Sequence, residues 1–101
     1  LYYPPAFTEA ALKVLRARVP AALRIEASAD DLRHFSVNAV NLDDQVVMTR
    51  TTPHLRQELG RRGYHLHEAD LAPYMMSGGG AYCMTLRLDR TSTPVQRAAA
   101  A

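Results

Sequence analysis

Gln45-Val46-Val47-Met48-Thr49-Arg50-Thr51-Thr52-Pro53-His54-Leu55-Arg56-Gln57-Glu58-Leu59-Gly60-Arg61-Arg62-Gly63-Tyr64-His65-Leu66-His67-Glu68 reads as strand, helix, strand. Val46, Val47 and Met48 are consecutive and apolar, the pattern of a strand buried on both faces. Thr52 is placed to cap a helix whose first position is Pro53. Leu55 and Leu59 then fall four apart, on one helical face. Gly63 is placed to stop the helix in a left-handed conformation. Gly60 inside it costs about 1 kcal/mol relative to Ala, so the last turn is expected to fray. From Tyr64 to Glu68 the period becomes two, with Tyr64, Leu66 and Glu68 on one face and His65 and His67 on the other.

Upstream of this stretch, Ser36–Leu42 is a second strand-like run, joined to Gln45–Arg50 across Asp43-Asp44. Asp is a usual occupant of a hairpin tip, so the acid pair is read as a turn. Leu1–Tyr3 resembles the end of a strand stopped by Pro4-Pro5. Ala6–Val19 is predicted helical, capped by Thr8, with Ala11, Leu12, Val14, Leu15 and Val19 as its apolar stripe and Pro20 as its end. Ala22–Ala27 alternates like a strand, and Ser28 caps a short helical turn, Ala29–Phe35, with Asp30 and Asp31 at its favourable dipole end. Downstream, Asp70 caps a turn over Leu71–Met76, and a strand is expected from Ala81 to Leu88. The polar run from Thr91, ending in four alanines, is expected to be mobile. Strands alternating with helices argue an α/β fold with mixed sheet pairing. The segments make one full ββαβ unit flanked by pieces of neighbours, not a closed fold.

The chain has 101 residues, enough for one small domain. Twelve basic and ten acidic residues leave a net charge of +2, and no block of like charges appears. A nucleic-acid partner is therefore not expected. One cysteine excludes an internal disulfide. No apolar run approaches the roughly 20 residues that span a bilayer, and no signal peptide is visible. These features point to the cytoplasm, with no membrane partner. The opening Leu1-Tyr2-Tyr3, without an initiating Met, suggests a fragment or a processed chain.

That single cysteine lies in Ser77-Gly78-Gly79-Gly80-Ala81-Tyr82-Cys83-Met84-Thr85-Leu86-Arg87-Leu88. Three consecutive glycines weaken regular structure, so they call for a reason: a sharp bend, or close approach of a ligand beside a reactive group. A thiol is the strongest side-chain nucleophile near neutral pH once it is ionised. Cys83 is thus a candidate catalytic residue. The competing view is an inert, buried thiol in a core strand.

Taken together, Ser36-Val37-Asn38-Ala39-Val40-Asn41, Val46-Val47-Met48, the helix capped before Pro53, Gly63-Tyr64 and Gly78-Gly79-Gly80-Ala81-Tyr82-Cys83-Met84-Thr85 resemble the C-terminal part of the guanidino-group-modifying enzymes, the pentein superfamily. Its members include dimethylarginine dimethylaminohydrolase, arginine deiminase and the amidinotransferases. The resemblance covers about residues 1–90 and implies the C-terminal blades of a five-bladed α/β propeller, with 91–101 as a tail. It implies that Cys83 attacks the guanidinium carbon of an arginine derivative, dimethylarginine foremost, giving citrulline and dimethylamine through a covalent intermediate. Arginine deiminase or amidinotransferase chemistry is the close rival. The resemblance further implies that Ser77, Gly78 and Asn38 bind substrate, Asn38 in a supporting role toward the centre, and that no cofactor is needed. It places the catalytic histidine and the guanidinium-binding carboxylates in earlier blades, since none of His34, His54, His65 or His67 stands at the matching position. The chain alone is then expected to be inactive without upstream blades or a second chain.

Blander readings cover the remaining motifs. His65 and His67 lack a third ligand at metal-like spacing and are read as solvated strand residues, so no metal is expected. Arg61-Arg62 complements the helix dipole. Met75-Met76 is expected to pack beneath the glycine loop. A non-catalytic module that binds a partner, or a second copy, through exposed sheet edges is the alternative from another functional class.

Overall fold

The structure, a computed structural model, describes residues 1–88. Its centre is a three-stranded sheet in the order β1-β2-β3, formed by Val40–Leu42, Gln45–Met48 and His65–Glu68. The first two strands form the expected hairpin, antiparallel with Val40 opposite Val47 and Leu42 opposite Gln45. Asp43 takes the positive φ of 54° that reverses the chain, a conformation Asp tolerates better than most residues. Strands β2 and β3 run parallel, with Gln45 opposite His65 and Met48 opposite Glu68. A parallel pair needs a crossover. The predicted helix supplies it: α3, Pro53–Arg61, with the Thr52 hydroxyl accepting from the Leu55 amide at 3.2 Å. The helix runs through Gly60 without a break and is followed by Gly63 at φ 81°.

The core is where α3 meets this sheet. Val46, Met48, Leu55, Leu59 and Ile25 form one buried cluster, with Ala39, Tyr64 and Leu66 packed against it. Along β2, burial alternates: Val46 and Met48 are buried, while Gln45 and Val47 are half-buried. The strand was expected to be covered on both faces, but its second face is only partly so. The cause is visible in the register, since Val47 stands opposite the exposed His67.

Before the hairpin, α1 spans Glu9–Arg18 and is capped by Thr8, later than the expected start because Pro4–Ala6 forms its own 3-10 turn. Of its apolar stripe Leu12 is buried, whereas Val14 is 54% exposed. The strand expected over Ala22–Ala27 is reduced to one parallel bridge between Glu26 and Tyr2, after a 3-10 turn at Ala21–Leu23. The bridge is bonded from both sides, Tyr2 N–H to the Ile25 carbonyl at 3.0 Å and Ala27 N–H to the Tyr2 carbonyl at 2.8 Å. Tyr2 is the lone residue of the 1–3 segment that meets this run, so pairing cannot extend. The short helix α2, Ala29–Arg33, starts at Ser28 in a full capping box with Asp31.

The run after the glycines also departs from expectation. Ala81–Leu88 is not a strand: Tyr82–Met84 forms a 3-10 turn and, among the described residues, 85–88 joins no strand of the sheet. Alternation makes a segment suited to a sheet, but a strand exists only beside another strand. Here Leu86 and Leu88 stand 84% and 88% exposed. The tail expected from Thr91 onward lies outside the described residues. No helix among the described residues is long and apolar enough to cross a membrane.

Candidate active site

Cys83 is held against Asn38, which lies in the loop leading into β1. The Asn38 side-chain oxygen accepts two backbone N–H groups, from Gly80 and from Cys83, each at 3.1 Å. Its side-chain nitrogen stands 3.0 Å from the Cys83 sulfur and donates to it. The Asn38 backbone carbonyl accepts the Tyr82 N–H at 3.2 Å. Four contacts therefore tie residues 80–83 to one asparagine. The opposite amide orientation would aim an NH2 group at two N–H donors, so the hydrogen bonds themselves fix the assignment.

The glycines acquire separate reasons in this geometry. Gly78 has φ 89°, the left-handed region that L side chains avoid, and closes a 3-10 turn over Ala72–Ser77. Gly79 is buried, and a Cβ there would lie 2.6 Å from the Cys83 Cβ and 3.1 Å from its sulfur. Gly80 passes equally close to Phe35 and Asn38, where a Cβ would meet both at 3.2 Å. Phe35 itself has φ 53°, an uncommon conformation for a bulky residue, which turns the chain from α2 toward Asn38. Its carbonyl accepts the Asn38 N–H at 2.9 Å. Strained backbone beside a candidate site is a common companion of function.

The structure thus brings two of the expected site residues together, Cys83 and Asn38, with Gly78 two residues before the segment they share. Ser77 ends the preceding turn and is exposed. Cys83 is exposed as well, not sealed in a core. It lines neither of two cavities in the described residues. One, of about 470 Å³, is bordered by Leu23, Ile25, Val46, Met48 and Tyr64. The other, of about 500 Å³, is bordered by His34, Arg50, Glu68, Asp70 and Met75. The histidines engage elsewhere: His67 shares a 2.6 Å hydrogen bond with Gln45, and His65 lies 3.6 Å from the Asp44 carboxylate. No group of three or more His, Cys, Asp or Glu able to hold a metal occurs among the described residues. The turn expected over Leu71–Met76 runs one residue later, Ala72–Ser77, so Leu71 takes the capping position and Asp70 lies just ahead of it, accepting the Ala72 N–H at 3.2 Å. Met76 is exposed, so the expected packing of the Met pair under the glycine loop does not hold for it. Its place on a 3-10 turn points it outward.

Comparison with known proteins defines what this arrangement belongs to. No family model matches the chain. A bifunctional arginine dihydrolase/ornithine cyclodeaminase from Synechocystis, ArgZ, is 35% identical over 94 residues, 93% of this chain and 13% of the relative. The arginine dihydrolase domain of ArgZ, solved with substrate bound in a cysteine-to-serine mutant, superposes with a TM-score of 0.82 at 35% identity, covering 85% of this chain and 32% of that one. This chain belongs to the pentein superfamily of guanidino-group-modifying enzymes. A second pentein relative, the N(G),N(G)-dimethylarginine dimethylaminohydrolase of Mycobacterium tuberculosis, is 34% identical over 87 residues, 86% of this chain and 28% of its own length. The chain therefore spans about an eighth of the bifunctional relative and under a third of the dimethylarginine hydrolase. Its mixed sheet, with one hairpin and one crossover helix, is a piece of the pentein propeller.

Sequence reading missed two features that hold the candidate site in shape. One is the backbone strain at Phe35, for which the sequence carries no signal. The other is the buried Asp31 carboxylate, which joins α2 to α3 through Thr52. Ser28 and Asp31, three apart, were the available sign of its capping role.

Proposed function

We propose that this chain is the cysteine-bearing, C-terminal portion of a pentein hydrolase catalytic domain that cleaves a guanidino C–N bond, with Cys83 as nucleophile. What supports the reading most is the exposed Cys83 sulfur, fixed by Asn38 beside glycines that leave no Cβ in its way. A guanidinium carbon is a poor electrophile because its charge is delocalised, so attack needs a thiolate held in line. The Cys83 sulfur adds to that carbon, forming a C–S bond as the C=N electron pair moves onto nitrogen. The C–N bond to the departing amine then breaks as that nitrogen takes a proton. Water adds to the same carbon and loses a proton, and the C–S bond breaks to return the thiolate. Proton donor, base and guanidinium-binding carboxylates come from upstream blades in this reading, which also makes residues 1–90 the closing part of the propeller.

The substrate in this reading is arginine or its dimethylated form. The match to the arginine dihydrolase spans more of this chain, and the match to the dimethylarginine hydrolase keeps the methylated substrate as the second reading. The test is to incubate the protein carrying its upstream blades with each substrate, quench in acid and weigh the peptide containing Cys83. A mass gain on that peptide with one substrate supports the assignment and names the substrate. Turnover that survives Cys83→Ala, with no adduct, overturns it and favours the non-catalytic module for this segment.

A further inference from the structure

We propose that Asn38 is the positioning residue for Cys83, fixing the sulfur and its supporting backbone through one amide, and that it does not bind substrate directly. The proposal rests on Cys83 being the nucleophile. A side-chain amide oxygen has two lone pairs, and both are taken by the Gly80 and Cys83 N–H groups at 3.1 Å. The amide nitrogen has two hydrogens, and one is directed at the Cys83 sulfur at 3.0 Å. No acceptor is left for a guanidinium, which offers only donors. An asparagine committed in this way cannot grip such a substrate, but it can set where the attacking atom sits.

The surrounding chain is built to hold that amide still. The Asn38 backbone N–H is bonded to the Phe35 carbonyl, and its carbonyl to the Tyr82 N–H. Phe35 is in the left-handed region, and a Cβ on Gly80 would meet both Phe35 and Asn38 at 3.2 Å, so a side chain there would need its neighbours to give by a few tenths of an ångström. Both ends of the clamp are thus anchored, 45 residues apart in sequence. An N–H directed at sulfur also meets the negative charge of a thiolate with a donor, at the position where attack begins.

The test uses Asn38→Asp in the full chain. Aspartate has the same shape and keeps the oxygen that receives the two N–H groups. It loses the donor to sulfur and places a like charge beside a thiolate. Cys83 is the single cysteine, so iodoacetamide reads it without ambiguity. The expected result is at least a tenfold slower alkylation at pH 7 than in the unaltered chain, with the gap closing at pH 10. Equal rates and equal pH profiles would overturn the proposal. Should Asn38→Asp fail to fold, amide hydrogen exchange on the unaltered chain decides. Protection of the Gly80 and Cys83 amides supports the clamp, and exchange at the rate of an unstructured peptide refutes it. Neither readout needs guanidino turnover, so failure of the nucleophile assignment would show separately, as a missing covalent adduct.

Discussion

The carboxylate of Asp31 joins the starts of two helices by accepting the hydroxyl of Thr52 at 2.8 Å. Its other oxygen closes the capping box on α2, accepting the Ser28 N–H at 2.8 Å and the Ser28 hydroxyl at 2.7 Å. Thr52 in turn caps α3. One fully buried carboxylate therefore fixes the angle between the segment that carries Asn38 and the helix that covers the sheet. Asp31→Ala is expected to cost about 2–4 kcal/mol, a lost cap plus the loss of charge-assisted hydrogen bonds. Urea unfolding checks it. A double-mutant cycle with Thr52→Ala should return a coupling of roughly 1 kcal/mol, because the two residues share one bond.

The same carboxylate predicts an acid limit. Burial pushes the Asp31 carboxyl up, but the hydrogen bonds from Ser28 and Thr52 outweigh it and hold the group below its ordinary range. Glu68 is lowered too, chiefly by the Thr51 hydroxyl, with the Thr51 N–H and Arg56 adding to it. A depressed carboxylate binds fewer protons folded than unfolded, so stability rises with pH across its range. The contribution is fully present above the ordinary carboxylate range of about 4 and is lost as pH falls through the depressed folded-state values. Melting temperature should be level between pH 6 and 7 and fall steadily below pH 4. Asp31→Asn should flatten part of that fall.

In the core, Leu55 is completely buried between α3 and the sheet, against Met48. Leu55→Ala is expected to lose about 2–5 kcal/mol through lost transfer energy and the cavity left behind. That is a large share of the stability of a small domain. Val14→Ala on the exposed face of α1 should change stability by no more than about 0.5 kcal/mol. Chemical denaturation of both variants separates a packed position from a solvated one.

The elements read correctly from sequence are those with local causes. Thr52-Pro53 and Gly63 bound α3 because capping involves residues within one turn of each other, and Asp43 serves the hairpin through its own backbone. Cys83 drew attention as a candidate through an equally local sign, the glycines adjacent to it. What stayed hidden depends on residues far apart. Asn38 and Cys83 are separated by 45 positions and Asp31 and Thr52 by 21; the family resemblance put Asn38 and Cys83 at one centre but not in contact, and no local pattern links Asp31 to Thr52. The runs over Ala22–Ala27 and Ala81–Leu88 show the reverse limit. Their alternation describes side chains suited to a sheet, while strand formation depends on a neighbouring backbone.

Gly60 offers a stabilising substitution. It sits inside α3 with nothing within 4 Å of where a Cβ would be placed. Gly60→Ala removes unfolded-state freedom and is expected to add about 0.5–1 kcal/mol. A rise in melting temperature checks it, and an unchanged or lower value would mean that the last turn of α3 is not helical in solution.

Gly79 should respond in the opposite way. The atom it would meet, the Cys83 Cβ at 2.6 Å, is bonded directly to backbone and cannot swing aside as the end of a long side chain can. Gly79→Ala must therefore displace the loop, at an overpacking cost of about 1–3 kcal/mol. Displacement also breaks the alignment of the Cys83 sulfur with Asn38. Misplacement of an attacking atom by about 1 Å can cost on the order of a hundredfold in rate. Labelling of Cys83 by a haloamidine in the protein with its upstream blades should slow by about 10–100-fold, while iodoacetamide, which needs no guanidinium-shaped site, should still react. Equal slowing with both reagents would indicate a loss of sulfur reactivity or access and not of guanidinium-shaped alignment; no loss with either would mean that the close approach of Gly79 does not position Cys83.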